Sequence, residues 1–276
     1  SSSLIAYPNT AMQPSPLATA TDPASFSAIR EALAHYLREE LIPLEQRLGL
    51  GYEDRFSREL IRSVWQRCRQ LGFYGIHLPP ALGGRGLSLS QLCQLKDDVA
   101  ASGAILFPHV LGDWGGPSRI GSLVKYATAD QRDRFVTPVV EGRMGICFAM
   151  TEPHSGSDAA SIRTRAVRDG DDFVVTGHKH FITASTFADV AITLCVTEPG
   201  AGAKGISALF IPLDAPGVRL DLDCVPMSGQ FVDADILLDQ VRVPASNLIG
   251  TEGDGFRIAM DRISVNRLLH CPTMIG

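Results

Sequence analysis

The stretch FAMTEPHSGSD, residues 148–158, crowds hydrogen-bonding groups directly after an apolar run. Backbone N–H groups at a strand end can face a ligand, and a residue without a Cβ, here Gly156, lets a ring or phosphate come close. A redox ring such as isoalloxazine requires donors on one edge and an apolar wall on its face. The alternative is a plain turn capped by its own side chains. The polar residues of the stretch are Thr151, Glu152, Ser155, Ser157 and Asp158.

Two glycine-rich stretches have spacings that suit phosphate binding. GAGAKG, residues 200–205, fits G-x-G-x-x-G, but an apolar strand-like run follows it where a dinucleotide site needs a helix. It is interpreted as a hairpin loop. GTEGDG, residues 250–255, does open a helix, so its N–H groups could hold an anion, or it could be a plain entry to that helix.

Other candidate chemistries are weaker. His178 and His180 share one face of a predicted strand, and His154 could join them, but no carboxylate or cysteine completes a zinc spacing, so no metal site is predicted. Ser155 and Ser157 lack the G-x-S-x-G context of a nucleophile. Several cations could guide phosphates, although Arg163, Arg165 and Arg168 are explained more simply as an exposed strand face. The cations are Arg163, Arg165, Arg168, Arg143 and Lys179.

The composition is that of an ordinary globular protein. Hydrophobic residues make up 45% of the 276 positions, charged residues 20%, and the net charge of −5 gives no general attraction to nucleic acid or anionic membrane. Six scattered cysteines without CxxC favour a reducing compartment. No apolar run is long enough to span a bilayer. Residues 1–21 carry no Lys or Arg and are expected to form a flexible extension.

Helical periodicity occupies the first half of the chain. Asp22-Pro23 predicts a helix start, and Pro43 is expected to end or bend that helix. A second helix is predicted from Ser57 to a stop at Gly72, and a third around residues 89–99. Residues 117–126 and 129–141 suggest a fourth and a fifth. Residues 78–88 are turn material.

After Gly142 the pattern changes to short β-branched and aromatic runs, which predict an antiparallel barrel or sandwich of about 100 residues. Helical spacing returns from Asp254. The fold class is therefore α+β and multidomain: an N-terminal helical bundle, an antiparallel β-domain, and the start of a C-terminal helical domain. One lone helix cannot bury its apolar stripe, so further chain or a partner is expected to complete it.

Five segments, taken together, resemble the acyl-CoA dehydrogenase family of flavoproteins. FAMTEPHSGSD is similar to its Thr-Glu-Pro…Gly-Ser-Asp signature, GHKHFITAS (177–185) to its G-x-K-x-W-I-T segment, and QVRVPASNLIGTEGDGF (240–256) to a third. Residues 78–88 and 126–142 resemble its helical-domain passages. The resemblance implies a helical domain at 22–141, a β-domain at 142–247 and the start of a C-terminal helical domain at 248–276, most of which is absent.

The resemblance also implies FAD as cofactor. Phe148, Met150 and Thr151 would lie against the flavin, Ser157 would lie near the pyrophosphate and the acyl-CoA, and Gly156 would let the cofactor approach the backbone. Phe181 takes the place of the usual Trp, and Thr183 would direct its hydroxyl towards N5. The substrate-binding positions would be Ser157, Ser264 and Arg267.

The implied reaction is α,β-dehydrogenation of an acyl thioester, for which the family uses a Glu as base. The helix position at which some branches of the family carry this Glu is occupied here by Asn266, and the position of the family's usual Asp is occupied by Ser264. No catalytic residue is therefore assigned within this chain. The base is expected beyond Gly276 or on a partner. These 276 residues alone are expected to bind FAD weakly without turnover.

The implied partners are an acyl-CoA or acyl-carrier thioester, further copies forming a dimer or tetramer, and an electron-transferring flavoprotein. The expected location is the cytoplasm, or the mitochondrial matrix if the source is a eukaryote. Two alternatives stay open. One is a same-fold flavin oxidase or monooxygenase, or a carrier-protein acyl dehydrogenase. The other is a non-catalytic scaffold subunit.

Overall fold

The computed structural model describes residues 23–120, 123–222, 226 and 229–276. The predicted extension at 1–21 and Cys224 lie outside the described residues. Two compact units are present. One comprises residues up to Ser118 together with 140–143 and 265–276, and the other comprises 119–139 and 144–264.

The first unit is helical. It contains α1 (Pro23–Tyr36), a π-helical turn (Leu37–Leu41), α2 (Ile42–Leu48), α3 (Arg58–Leu71), α4 (Leu89–Ala100) and the short α5 (Phe107–Val110). Ser57 caps α3 by accepting from the Leu60 N–H, and Gly72 ends it in the left-handed region at φ 82°, both as predicted. Ser88 and Gln91 form a capping box for α4.

Pro43 does not end the first helical run, contrary to one of the two outcomes predicted for it. The π turn directly precedes α2, and the Ile42 N–H donates to the Leu37 carbonyl. Pro43 then lies in the first turn of α2, where its missing N–H removes no required bond. The sequence pattern alone could not show that the backbone hydrogen bonds of the helix would change to the π-helical pattern just before the proline.

The core of this unit is apolar but contains a buried ion pair. Side chains at three- and four-residue spacing along α1, α3 and α4 are buried. Arg67 of α3 donates from Nε and Nη2 to the two carboxylate oxygens of Glu40, at 2.7 and 2.8 Å. Glu45 accepts the N–H groups of Ile105 and Leu106. Each carboxylate thus has hydrogen-bond donors that offset the cost of its burial.

The predicted fourth helix is wrong. Residues 117–126 contain two short 3-10 turns, Pro117–Arg119 and Leu123–Lys125, separated by Gly121 and Ser122, which are weak helix formers and lie outside the described residues. Residues 129–140 are helical as expected, formed by α6 (Ala129–Gln131), a π turn (Arg132–Val136) and α7 (Thr137–Val140). A 3-10 turn at Pro80–Leu82 lies within the predicted turn region.

The second unit is built on one eight-stranded sheet in the order β6-β7-β3-β2-β4-β5-β8, with β1 beside β4. Most pairs are antiparallel, which confirms the predicted class, but β1–β4 and the single β2–β4 pair are parallel. The strands are β1 (Ile146–Ala149), β2 (Arg165–Asp169), β3 (Asp172–Thr183), β4 (Val190–Val196), β5 (Ile206–Pro212), β6 (Val218–Asp221), β7 (Asp233–Pro244) and β8 (Leu248–Ile249).

One feature of this sheet differs from the predicted strand pattern, and another agrees with it. DDFVVTG and KHFIT form one long strand, β3, whose pairing with β7 shifts register twice. The loop at 200–205 joins the antiparallel pair β4 and β5, so GAGAKG is a hairpin connection as interpreted.

The last helix, α8 (Gly255–Ile275), follows the sheet in sequence. Among the described residues, every helix is too short or too polar to cross a membrane.

Candidate functional site

The turn after β1 is held by a buried ion pair. Lys179 is completely buried on β3, and its Nζ donates to Glu152 Oε1 at 2.8 Å and to the Met150 carbonyl at 3.1 Å. Glu152 also accepts the N–H groups of Arg163 at 2.7 Å and Thr164 at 2.9 Å. The pair therefore fastens residues 150–152 to β3 and to the segment entering β2.

The two charges differ in what governs their protonation. Burial favours the neutral form of Glu152, but Lys179 and the donated hydrogen bonds outweigh it and hold the pKa of Glu152 below its ordinary value. Burial lowers the pKa of Lys179, and Cys195 and Glu152 act against that shift. The ion pair thus stabilises the carboxylate form of Glu152 at neutral pH.

The backbone of the turn is also bonded directly to β3. The His180 N–H donates to the Thr151 carbonyl at 2.8 Å, and Glu152 and Ser155 exchange N–H···O bonds at 3.0 Å. These bonds place Met150 and Thr151 beside the end of β3, which carries Phe181 and Thr183. Two sequence segments that share the predicted site are therefore adjacent in the structure.

The polar side chains of the turn fall into two groups. The buried Ser155 donates its hydroxyl to the Asp158 carbonyl at 2.6 Å, so it acts as the plain-turn interpretation requires. In contrast, within the described part of the chain, the hydroxyls of Thr151, Ser157 and Thr183 make no hydrogen bond, and neither does the Thr151 N–H. The half-buried Thr151 and Thr183 and the exposed Ser157 are thus donors available to a ligand.

The apolar predicted residues present partly exposed surfaces. Phe148 and Met150 are half-buried, and the Arg262 guanidinium lies 4.1 Å from the Phe148 ring centre. The Phe181 side chain is 58% exposed although it is a large hydrophobe. Its backbone is in the left-handed region at φ 53°, which costs a non-glycine residue free energy. An exposed aromatic ring on a strained backbone is a recognised feature of ligand sites.

Gly156 is open to solvent on the side where a side chain would project. A Cβ built there meets no atom within 4 Å, and the backbone is not left-handed. No contact of the described chain therefore requires glycine at this position. This agrees with a ligand that approaches the backbone closely.

The predicted substrate residues lie on α8. Ser264 and Arg267 are exposed and one turn apart, and Ser264 donates its hydroxyl to the Met260 carbonyl at 2.9 Å. Asp261 is the one carboxylate of this helix. It accepts from Lys125 at 2.7 Å and from the Tyr126 hydroxyl, and these bonds lower its pKa. A carboxylate with a lowered pKa is a poor proton acceptor.

The predicted cations are distributed over several environments. Arg163 and Arg165 line a cavity of about 430 Å³ together with Glu198. Arg168 pairs with Glu252 at 3.2 Å, and Arg143 pairs with Glu141. Lys179 is buried in the ion pair described above. The structure thus does not gather these five cations into one patch.

The glycine-rich entry to α8 is closed by its own carboxylate. Asp254 accepts from the Thr251 N–H at 3.2 Å and the Thr251 hydroxyl at 2.7 Å. It also pairs with Arg257 Nη2 at 2.9 Å, and a carboxylate at a helix start disfavours a second anion there. The structure therefore favours the interpretation as a helix entry.

Two structural residues were missed at the sequence level. Glu152 was noted only as part of the polar turn, and Lys179 only as a possible phosphate guide. The sequence did contain a signal for Lys179, because alternate residues of a strand share one face and Lys179 therefore shares a face with the apolar Phe173 and Val175, which are buried. A charged side chain on a buried face needs a partner. Asp235 of β7, which contacts His178 and His180, was also missed because it is distant in sequence.

Comparison with known proteins gives two family matches along the chain. Residues 24–143 match the family described as acyl-CoA dehydrogenase, N-terminal domain. Residues 147–232 match acyl-CoA dehydrogenase, middle domain. The matches cover both the helical region and most of the sheet.

Three relatives act by name on CoA thioesters, and each is longer than this chain. The acyl-CoA dehydrogenase FadE12 of Mycobacterium tuberculosis is 31% identical over 225 residues, which is 80% of this chain and 56% of the relative. CarC, a subunit of the caffeyl-CoA reductase-Etf complex of Acetobacterium woodii, is 32% identical over 80% of this chain and 58% of its own length. An acyl-CoA dehydrogenase structure from Geobacillus kaustophilus aligns with a TM-score of 0.77 at 27% identity, covering 92% of this chain and 66% of that one.

Proposed function

We propose a function from one premise: the chain belongs to the acyl-CoA dehydrogenase family. The proposed function is FAD-dependent α,β-dehydrogenation of an acyl thioester, performed by the protein of which this chain supplies the N-terminal and middle regions. The observation that carries it is that the hydroxyls of Thr151, Ser157 and Thr183 make no hydrogen bond in the described chain, while Phe181, next to the residue that bonds Thr151, is exposed. The chain spans a little over half the length of the two curated relatives, so substrate and partners are part of the proposal.

The residues present fit a flavin. An isoalloxazine ring needs hydrogen-bond donors at its pyrimidine edge and an apolar wall on its face. The Thr151 N–H and hydroxyl would donate to the pyrimidine edge, and Phe148, Met150 and Phe181 would supply apolar contact. Gly156 and Ser157 would face the pyrophosphate, and Thr183 the N5 region. When bound, FAD supplies a hydride acceptor for the β-hydrogen of the substrate.

The chain's own part in this chemistry is positioning. Lys179 and Glu152 fix the backbone from which Thr151 projects, so the donors are oriented before a ligand arrives. Preoriented donors stabilise negative charge without reorganising during the reaction. The Phe181 ring would exclude water from the face that it covers. A Phe lacks the indole N–H of the family's usual Trp, so it contributes apolar contact alone.

The catalytic base is proposed to lie outside α8. The two family positions on this helix are Ser264 and Asn266, neither of which is an effective proton acceptor. The lowered pKa of Asp261, caused by the bonds from Lys125 and Tyr126, makes that carboxylate unsuitable as well. Ser264 and Arg267 would contact the substrate. A carboxylate from another part of the protein or from a partner chain would remove the α-proton.

The proposed partners follow from the family. The substrate is an acyl thioester carried by coenzyme A or by a carrier protein. CarC is named as part of a complex with an Etf, and an electron-transferring flavoprotein is proposed as the acceptor here too. A homo-oligomer is the proposed assembly.

A flavin titration tests the cofactor site. We expect purified Thr151→Val to bind FAD at least about tenfold more weakly than the unchanged protein, because an edge donor is lost. Thr176→Val is the matched control, since the Thr176 hydroxyl on β3 already accepts from Gln240 at 2.9 Å. Equal affinities for the two variants would overturn the assignment of Thr151. A protein that takes up no flavin would favour the scaffold alternative.

An anaerobic substrate titration tests the reaction. We expect saturated acyl-CoA thioesters to bleach the flavin absorbance of the FAD-loaded protein of full length. Rapid reoxidation of the reduced protein by O₂ rather than by an electron-transferring flavoprotein would favour the oxidase alternative. Absence of bleaching across chain lengths, with FAD bound, would contradict the dehydrogenase proposal.

A further inference from the structure

Two histidines and one aspartate form a compact cluster on the sheet. His178 Nε2 lies 2.6 Å from Asp235 Oδ2, and His180 Nδ1 lies 2.7 Å from the same oxygen. The three possible ligand atoms are all within 4.8 Å of one another. The family resemblance assigned no function to these residues, and the flavin proposal does not use their side chains.

The cluster is produced by the pairing of β3 with β7. His178 and His180 alternate along β3 and therefore share one face. The register pairs His178 with Leu237 and Lys179 with Ile236, which brings Asp235 opposite His180. Directly opposite residues of an antiparallel pair point to the same side of the sheet. The three side chains thus converge from two strands.

A β-bulge fixes this convergence. The register shifts between Lys179 and Ile182, so one extra residue of β3 lies opposite Asp235. Phe181 occupies the bulge with φ 53°, and its N–H donates to Asp235 Oδ1 at 3.1 Å. The Asp235 carboxylate is therefore anchored by the backbone of the partner strand. Such an anchor holds a ligand group in place before an ion arrives.

Exposure and chemistry suit a metal ion with open coordination positions. The Asp235 side chain is 11% exposed, whereas those of His178 and His180 are 42% and 28% exposed. The carboxylate forms the floor and the imidazoles form the rim, so an ion could enter from solvent. Two imidazoles and one carboxylate suit Zn²⁺, Fe²⁺, Co²⁺ or Ni²⁺ and are unlike the all-oxygen sites of Mg²⁺ and Ca²⁺.

We propose that His178 Nε2, His180 Nδ1 and the Asp235 carboxylate bind one divalent transition-metal ion, with Zn²⁺ as its representative. Tetrahedral ligands at about 2.1 Å from an ion lie about 3.4 Å from one another. The imidazole nitrogens now lie 2.6 and 2.7 Å from Asp235 Oδ2, so this spacing requires each nitrogen to move away from that oxygen by less than about 1 Å. Solvent fills the remaining coordination positions. When the ion binds, metal–ligand bonds replace the hydrogen bonds between the imidazoles and the carboxylate, because the imidazoles bind the metal in their neutral form.

A Zn²⁺ titration of the protein tests this site without reference to flavin or activity. The protein is purified on a tag without histidine, freed of metal with a chelator and studied by calorimetry. We expect one Zn²⁺ per chain, and the His178→Ala and His180→Ala variants to bind at least about tenfold more weakly. His35→Ala, which removes an exposed histidine of α1, should bind as the unchanged protein does.

Substitution of Co²⁺ gives a second readout that reports the ligand set. Bound Co²⁺ should give visible absorption bands typical of low coordination by nitrogen and oxygen, and these should be lost in Asp235→Asn as well as in His178→Ala. Circular dichroism of each variant establishes that it is folded. No stoichiometric binding, or binding that survives all three substitutions, would overturn the proposal. Loss of metal binding in His178→Ala with FAD affinity unchanged would support it independently of the proposed function.

Discussion

At the residue scale, the Lys179–Glu152 pair is the feature that connects two distant segments. Both side chains are almost inaccessible, at 0% and 2% exposure, and both have several hydrogen-bond partners. A buried pair is weak support for stability by itself, because desolvation offsets its attraction. Its consequence here is geometric: it orients the Thr151 backbone beside Phe181 and Thr183.

Removing one member of this pair should be costly. We expect Lys179→Met and Glu152→Gln each to lower the free energy of unfolding by about 3–5 kcal/mol, because each leaves an uncompensated buried group. The double variant should recover part of this loss. Urea unfolding of the four proteins measures the coupling. Strictly additive losses would show that the two side chains do not interact.

The same pair predicts a dependence of stability on pH. The pKa of Glu152 in the folded protein lies below its ordinary value of 4.5, so the folded state holds fewer protons than the unfolded state in acid. Its contribution to stability is therefore present above about pH 4.5 and is lost as the pH falls through the folded value. Urea unfolding of the unchanged protein and Glu152→Gln should show a gap that narrows in this acidic range. A gap independent of pH would contradict the assignment.

At the element scale, Gln131 connects α6 to the segment around β8. Its Oε1 accepts the Thr128 N–H at 3.2 Å, which completes the capping box of α6. Its Nε2 donates to the carbonyls of Ser246 and Leu248, both at 2.7 Å. One buried amide therefore satisfies a helix start and a strand start that are more than 100 residues apart in sequence.

Truncating this side chain should weaken the second unit. We expect Gln131→Ala to lower the free energy of unfolding by about 2 kcal/mol, because two partly buried carbonyls and one N–H lose their partner. Gln131→Glu keeps the acceptor but points a carboxylate at two carbonyls, so it should cost at least as much. Chemical denaturation provides the measurement, with the exposed Gln66→Ala as control. A neutral Gln131→Ala would show that water replaces these bonds.

At the scale of the whole molecule, the thiols report on packing. Cys68, Cys93, Cys147, Cys195 and Cys271 are free, and the first, third and fourth of these are buried. Burial raises the pKa of Cys68 and of Cys195 to about 12, which suppresses the reactive thiolate at neutral pH. Cys271, on α8, is exposed.

Thiol labelling should therefore be selective in the native protein. We expect a thiol reagent at neutral pH to modify Cys271 rapidly and to leave Cys68, Cys147 and Cys195 unmodified until denaturant is added. Peptide mass spectrometry identifies the labelled positions. Early labelling of Cys195 would mean that the core of the sheet opens in the native state.

Much of the fold was determined by local sequence signals. The caps Ser57 and Gly72 bound α3 because they satisfy free backbone groups at the helix ends, and this requires only neighbouring residues. Alternation and β-branched runs identified the main strands because these patterns also depend only on neighbouring residues. Local signals left two outcomes open at Pro43, where a π turn keeps the run helical, and they failed at residues 117–126, where 3-10 turns stand in place of the expected helix.

The site was determined by the sequence only in part. The motifs 148–158 and 177–185 indicated the family and predicted the donor residues, because each is a contiguous pattern. Their adjacency, the burial of Lys179 against Glu152 and the arrival of Asp235 at His178, 57 residues away, were decided by the tertiary structure alone. The physical reason is strand pairing: register and a single bulge choose which distant side chains meet, and neither is encoded in any one segment.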